Sequence, residues 1–216
     1  MNAKVKTEKS FSLDGTDLIP FSIWLLVAFI TWTFLDGARH YLEFTPEALG
    51  KYYDFRWILM THVTAGAGTL IFGTIQFWEK LRKYSYRIHR VIGLLYVFSI
   101  LISSVSALIL AFTTAYEVNW QFAFALQVWA TAWISSTLLA YYHALRKRFL
   151  LHKEWMIRSY IVTIAFVIQG LLLKTSYVQS LGSLEDISAS FIWMGWTVPL
   201  YLYEVLRSGQ RMVRVT

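Results

Sequence analysis

Five histidines are the side chains of this sequence best able to do chemistry: His40, His62, His89, His143 and His152. Zero cysteines exclude disulfides, thiolate metal sites, iron-sulfur clusters and thiol catalysis. From His62 the chain reads H-V-T-A-G, and from His89 it reads H-R-V-I-G. In both, a glycine (Gly66, Gly93) follows at a spacing of one helical turn on the same face. An imidazole beside a residue with no side chain borders a flat notch, which is the shape a porphyrin plane needs. The same faces continue through Thr69, Gly73 and Gln76 after His62, through Tyr96, Ile100 and Ser103 after His89, and through Met156, Ser159, Thr163 and Gly170 after His152. These small and polar stripes are expected to face a helix-bundle interior, because the alternative is to expose them to lipid. A second reading of the glycines needs no ligand. Ala65, Gly66, Ala67, Gly68 and Gly73 also fit close helix packing.

The elements that must position these groups are legible from composition. Of 216 residues, 56% are apolar, 18% aromatic and 15% charged, a balance foreign to a soluble domain. Six apolar runs appear: Ile19–Leu35, Trp57–Phe77, Val91–Phe112, Phe122–Tyr142, Trp155–Leu173 and Ile187–Leu206. Each approaches the roughly 20 residues that a membrane crossing requires. The expected fold is all-α and polytopic, with six transmembrane helices, the second to fifth forming an antiparallel four-helix core. Residues 1–18 form a polar head with no small-residue cleavage pattern, 19–206 form one membrane domain, and 207–216 form a basic tail. Pro199 interrupts the sixth run without excluding a span.

The net charge of +7 does not indicate nucleic-acid binding, because the basic residues sit in short clusters between apolar runs. They serve orientation instead. Sixteen Lys and Arg fall on one side: Lys4, Lys6, Lys9, Lys80, Arg82, Lys83, Arg87, Arg90, Arg146, Lys147, Arg148, Lys153, Arg158, Arg207, Arg211 and Arg214. Four (Arg39, Lys51, Arg56 and Lys174) fall on the other, so both termini are expected in the cytoplasm. The exterior segment Asp36–Arg56 reads as a cap and not a domain.

With this orientation His40 and His62 lie near the outer face and His89, His143 and His152 near the inner one. If the second to fifth helices surround one axis in order, the third and fifth are diagonal, about 12–14 Å apart. His89 and His152 then become candidate axial ligands to a b-type haem, with Arg87, Arg90, Lys153 and Arg158 as countercharge for its propionates. His62 is a candidate second-site ligand or quinone contact, although the fourth helix offers only Gln127 at that depth. Trp129 and Trp133, on one face of the fourth helix, either wall a haem edge, grip a quinone or carotenoid, or fill space. A metal site of His89, His143 and His152 is an open alternative. No acid lies inside the first five runs, which disfavours metal-dependent hydrolysis and proton-coupled transport. The serines Ser103, Ser104 and Ser106 lack a base and are expected to bond back to their own helix.

The segments H-V-T-A-G-A-G-T-L-I-F-G-T-I-Q-F at His62, R-I-H-R-V-I-G-L-L-Y at Arg87 and H-K-E-W-M-I-R-S-Y at His152 resemble DUF2306, a family of bacterial integral membrane proteins defined without an activity. The resemblance covers roughly residues 57 to 175 and implies a multi-helix fold in a bacterial inner membrane with histidines at helix ends. More distantly, histidines on alternate helices are similar to the four-helix transmembrane cytochromes b, which carry two complete diagonal pairs; here the outer pair lacks its fourth-helix member. Two functions are expected from this reading. One is a haem-binding protein of membrane electron transfer with a redox partner; the other is a cofactor-free accessory or scaffold subunit of a larger membrane complex.

Overall fold

The computed structural model describes residues 21–213, so the polar head and the last residues of the tail lie outside the described part. Helix α1 spans Phe21–Gly37. A cap follows, made of a 3-10 turn at Arg39–Glu43, the short helix α2 (Pro46–Leu49) and a second 3-10 turn at Gly50–Phe55. The Thr45 hydroxyl accepts the Ala48 N–H and Pro46 occupies the first turn of α2, where a missing N–H costs nothing. Leu49 is buried with Leu59 and Leu110, and Tyr41, Tyr52 and Tyr53 pack around them, so the segment is the expected cap.

The bundle proper consists of α3 (Arg56–Gln76), α5 (Tyr86–Phe112), α6 (Trp120–Leu145) and α7 (Phe149–Leu172), with the short α4 (Glu79–Tyr84) between α3 and α5. Ser85 caps α5 by accepting the Ile88 N–H, and Asn119 caps α6 by accepting the Phe122 N–H at 2.7 Å. Short connections make consecutive helices antiparallel neighbours. Accordingly α3 packs on α5, α5 on α6, and α6 on α7, while α3 and α7 barely meet. That loose seam is where α1 packs. After α8 (Ser176–Gln179), α9 (Leu184–Val213) runs unbroken through Pro199 and packs against α6 and α7.

Among the described residues, four helical stretches are long and apolar enough to cross a membrane: Pro46–Gln76, Tyr86–Phe112, Trp120–Leu145 and Phe149–Leu172. These contain the second to fifth runs, to within a residue at the C-terminal ends of the second and fifth. The six-helix expectation is met only in part. The described part of α1 has 17 residues and starts at the edge of the described residues. Helix α9 is long enough at 30 residues, but its serines, tryptophans and Gly195 between Ile187 and Tyr203 dilute its apolarity.

Helix α5 shows how a bundle in lipid is patterned. Val91, Leu95, Phe98, Ile102, Val105, Ile109 and Phe112 are all exposed and recur every three or four residues, forming a continuous apolar stripe. The buried face of the same helix carries Tyr96, Ser103, Ser104 and Ser106. Water would invert this arrangement; an exterior more apolar than the core is stable only against hydrocarbon.

Candidate functional site

The polar stripes read from the sequence do turn inward. Thr69, Gly73, Tyr96, Ile100, Ser103, Met156, Ser159 and Thr163 are all buried. They organise two places in the bundle, a cavity at the cap end and a histidine cluster at the basic end.

The cavity has a volume of about 380 Å³, within the range of about 300–1,000 Å³ typical of small-molecule sites. It opens along the loose seam and is walled by α1, α3, α5, α6 and α7. His62 and Gly66 lie on its lining. The His62 Nδ1 lies 3.0 Å from the Ser103 carbonyl oxygen. A carbonyl can only accept, so Nδ1 carries the hydrogen and a neutral ring keeps its lone pair on Nε2. Tying one ring nitrogen to a carbonyl in this way fixes tautomer and orientation in metal-ligating histidines. Ser103 does not bond to its own helix as expected. Its hydroxyl donates across to the His62 carbonyl at 3.1 Å, so α5 grips the imidazole and its backbone together. Ser106 does bond back, to Ile102, and the Ser104 hydroxyl is buried without a partner.

The aromatic side of the cavity is built from Phe166, which stands 5.5 Å from both Phe34 and Trp129 and edge-on to His62 at 6.1 Å between ring centroids. Trp129 and Trp133 both line the space. Each indole N–H is satisfied, Trp129 by the Val162 carbonyl at 3.3 Å and Trp133 by the Thr163 hydroxyl at 2.8 Å. Gln127 is turned elsewhere, toward the Tyr116 hydroxyl and the Ala111 carbonyl.

Beneath the cavity, a chain of hydroxyls crosses the bundle core. Thr163 spends its hydrogen on the Ser159 carbonyl at 2.9 Å, and Thr137 spends its own on the Trp133 carbonyl at 2.8 Å. With its hydrogen on that carbonyl, Thr137 accepts toward Ser159, 2.7 Å away. In the arrangement that keeps both carbonyl bonds, Ser159 donates to Thr137 and accepts from the Tyr96 hydroxyl at 2.9 Å, which also lies 3.3 Å from the Thr163 hydroxyl. Tyr96, fully buried, is the donor that heads the chain. No pattern rule singles out this network in the sequence, because each member reads as an ordinary small polar residue on an inner face.

The basic end carries His89 near the start of α5, His143 near the end of α6 and His152 near the start of α7. The His152 Nδ1 sits 2.9 Å from the Ala140 carbonyl, which again leaves Nε2 as the acceptor nitrogen. The Nδ1 atoms of His89 and His143 are buried without hydrogen-bond partners. Two expectations fail here for physical reasons. Gly93 does not leave an open notch beside His89. The Gln76 amide occupies it, 3.4 Å from where a Cβ would stand, and donates to the His89 carbonyl at 2.8 Å. One level further in, Tyr96, Ile100, Ala140 and Met156 pack as one buried cluster. A porphyrin held between the two imidazoles would have to displace the Gln76 amide, so the residues present do not fit it there.

Arg158 is likewise committed elsewhere. Its guanidinium binds Glu204 of α9 at 2.6 Å and stacks on Trp155 and Tyr203. Arg207 pairs with Glu154, completing a clasp between α7 and α9. Arg90 is exposed on the first turn of α5. No group of three or more His, Asp or Glu side chains among the described residues is placed to hold a metal ion, so the His89, His143, His152 metal site does not form.

Comparison with known proteins gives a family and no more. The family model described as "Predicted membrane protein (DUF2306)" matches residues 59–207, more than half of the chain. No curated protein and no solved structure matches.

Proposed function

The chain belongs to the DUF2306 family of predicted membrane proteins, whose description assigns no activity; from that premise we propose that it is a haem-binding membrane redox protein, with b-type haem in the cap-end cavity and His62 as an axial ligand. The observation that supports this reading is the hydrogen bond from His62 to the Ser103 carbonyl, which leaves Nε2 as the ring's lone-pair nitrogen on an aromatic-walled cavity. Gly66, one turn along, would contribute no bulk beside the ring; a Cβ there would meet only the Ser103 hydroxyl, at an ordinary 3.5 Å. Haem bound at this site would supply one-electron exchange with a lipid-soluble partner such as a quinone, or with another membrane protein. The chain's own part is to hold the imidazole and to exclude water with Phe34, Trp129 and Phe166. The sixteen-to-four distribution of Lys and Arg supports a bacterial inner-membrane location with the basic end in the cytoplasm.

Haem ligation by His89 and His152, the pair that the sequence favoured, makes the opposite prediction under substitution. The absorption spectrum of the detergent-purified protein separates the two. A Soret band with reducible alpha and beta bands, lost in His62→Ala and kept in His89→Ala and His152→Ala, supports the cap-end site. Loss in the latter two with retention in His62→Ala would overturn it. One observation favours a second reading, that of a cofactor-free accessory subunit: Gly68, Gly73 and Gly93 are all seats for neighbouring side chains, as close packing requires. A colourless preparation after haem supplementation would select that reading.

A further inference from the structure

We infer that the mouth of the cap-end cavity is an acid-binding site, in which the Lys174 ammonium holds a carboxylate of an amphipathic ligand whose apolar body lies in the cavity; this rests on the proposed occupancy of that cavity. Lys174 lies just beyond the end of α7, and its side chain folds back over the C-terminus of α1. A Cβ on Gly37 would stand 2.8 Å from its Nζ, so the ammonium rests against the bare backbone of Gly37. Helix-terminal carbonyls favour a cation at such a place. Lys174 lines the cavity, and among the described residues no Asp or Glu does. Asp36, next to Gly37 in sequence, is held by Arg39 at 3.0 Å. The His40 imidazole beside it is tied to the Gly37 carbonyl at 2.9 Å. The lining therefore combines a largely apolar interior, which includes the His62 imidazole and several hydroxyls, with His40 and Lys174 toward the cap, and no carboxylate on it neutralises the lysine. A wholly neutral ligand would leave three N–H donors of that ammonium without the anion they suit.

Two sources offer this chemistry, the propionates of a porphyrin and the head of a free fatty acid. The test uses the full chain in phosphatidylcholine nanodiscs, with metal-free protoporphyrin IX and its dimethyl ester as fluorescent probes, each titrated against empty discs. The diacid should bind about tenfold or more tightly than the ester, the worth of one charge-assisted hydrogen bond. Lys174→Gln should abolish that preference while leaving ester affinity unchanged. Equal affinities in the unaltered protein, or a preference that survives Lys174→Gln, would overturn the inference while leaving the cavity as a binding site. Binding of neither probe would remove the cavity reading and this one with it. Displacement of the diacid by palmitate would point to fatty acids as the source of the carboxylate, and its failure to displace would point to porphyrin.

Discussion

Substituting Thr163 by Val tests the proton order assigned to the hydroxyl chain. The change nearly preserves shape but removes the acceptor of the Trp133 indole N–H, now 2.8 Å away. An orphaned donor in the core costs about 1–3 kcal/mol, whereas hydrogen bonds measured within membrane helices average about 0.6 and reach about 1.7 kcal/mol. The overlap gives an expected loss of about 1–2 kcal/mol for Thr163→Val. Tyr96→Phe removes a hydroxyl from the same chain with a smaller consequence. Tyr96 is the donor at its head, so its loss leaves Ser159 still donating to Thr137 and orphans no N–H or O–H. That variant should lose only about 0.5 kcal/mol. Thr163→Ser, which restores the acceptor, should recover most of the stability. Equilibrium unfolding in mixed micelles, followed by tryptophan fluorescence, ranks the three. If Tyr96→Phe costs as much as Thr163→Val, the assigned donor order is wrong.

Two further substitutions address packing and charge. A methyl at Gly73 would stand 2.7 Å from the Tyr160 ring and 2.9 Å from the Tyr96 ring, so Gly73→Ala should destabilise by about 1–3 kcal/mol in the same unfolding assay. Gly66→Ala, with only a hydroxyl at 3.5 Å, should be nearly neutral to folding. In the α7–α9 clasp, the Glu154 side chain is 12% exposed and that of Glu204 is 46% exposed. Glu154→Gln should therefore release α9 to limited proteolysis more than Glu204→Gln does, because solvent screens the second pair. Equal protection in both variants would show that the clasp does not hold α9.

Length and apolarity were enough to find the four crossings, because hydrocarbon demands about 20 uninterrupted apolar residues whatever their neighbours are. The inward direction of the stripes through Tyr96, Ser103, Ser159 and Thr163 was equally legible, since a polar group has nowhere else to go in lipid. The ends of the bundle were harder to read. For α9 the sequence supplied length but an ambiguous apolarity, and α1 begins at the edge of the described residues.

The histidine chemistry divides along the same line. Sequence spacing placed Gly66 and Gly93 identically beside an imidazole, yet one borders a cavity and the other seats the Gln76 amide. Nothing local distinguishes them. The difference arises because α3 and α5 pack closely, which fills the Gly93 notch, whereas α3 and α7 diverge, which leaves space beside His62. Arg158, too, has its partner set by a later helix, at Glu204, 46 positions along the chain. The type and depth of each group were fixed by composition and the bilayer; which nitrogen is free, which notch is open and which charge is already paired depended on how far apart the helices came to rest.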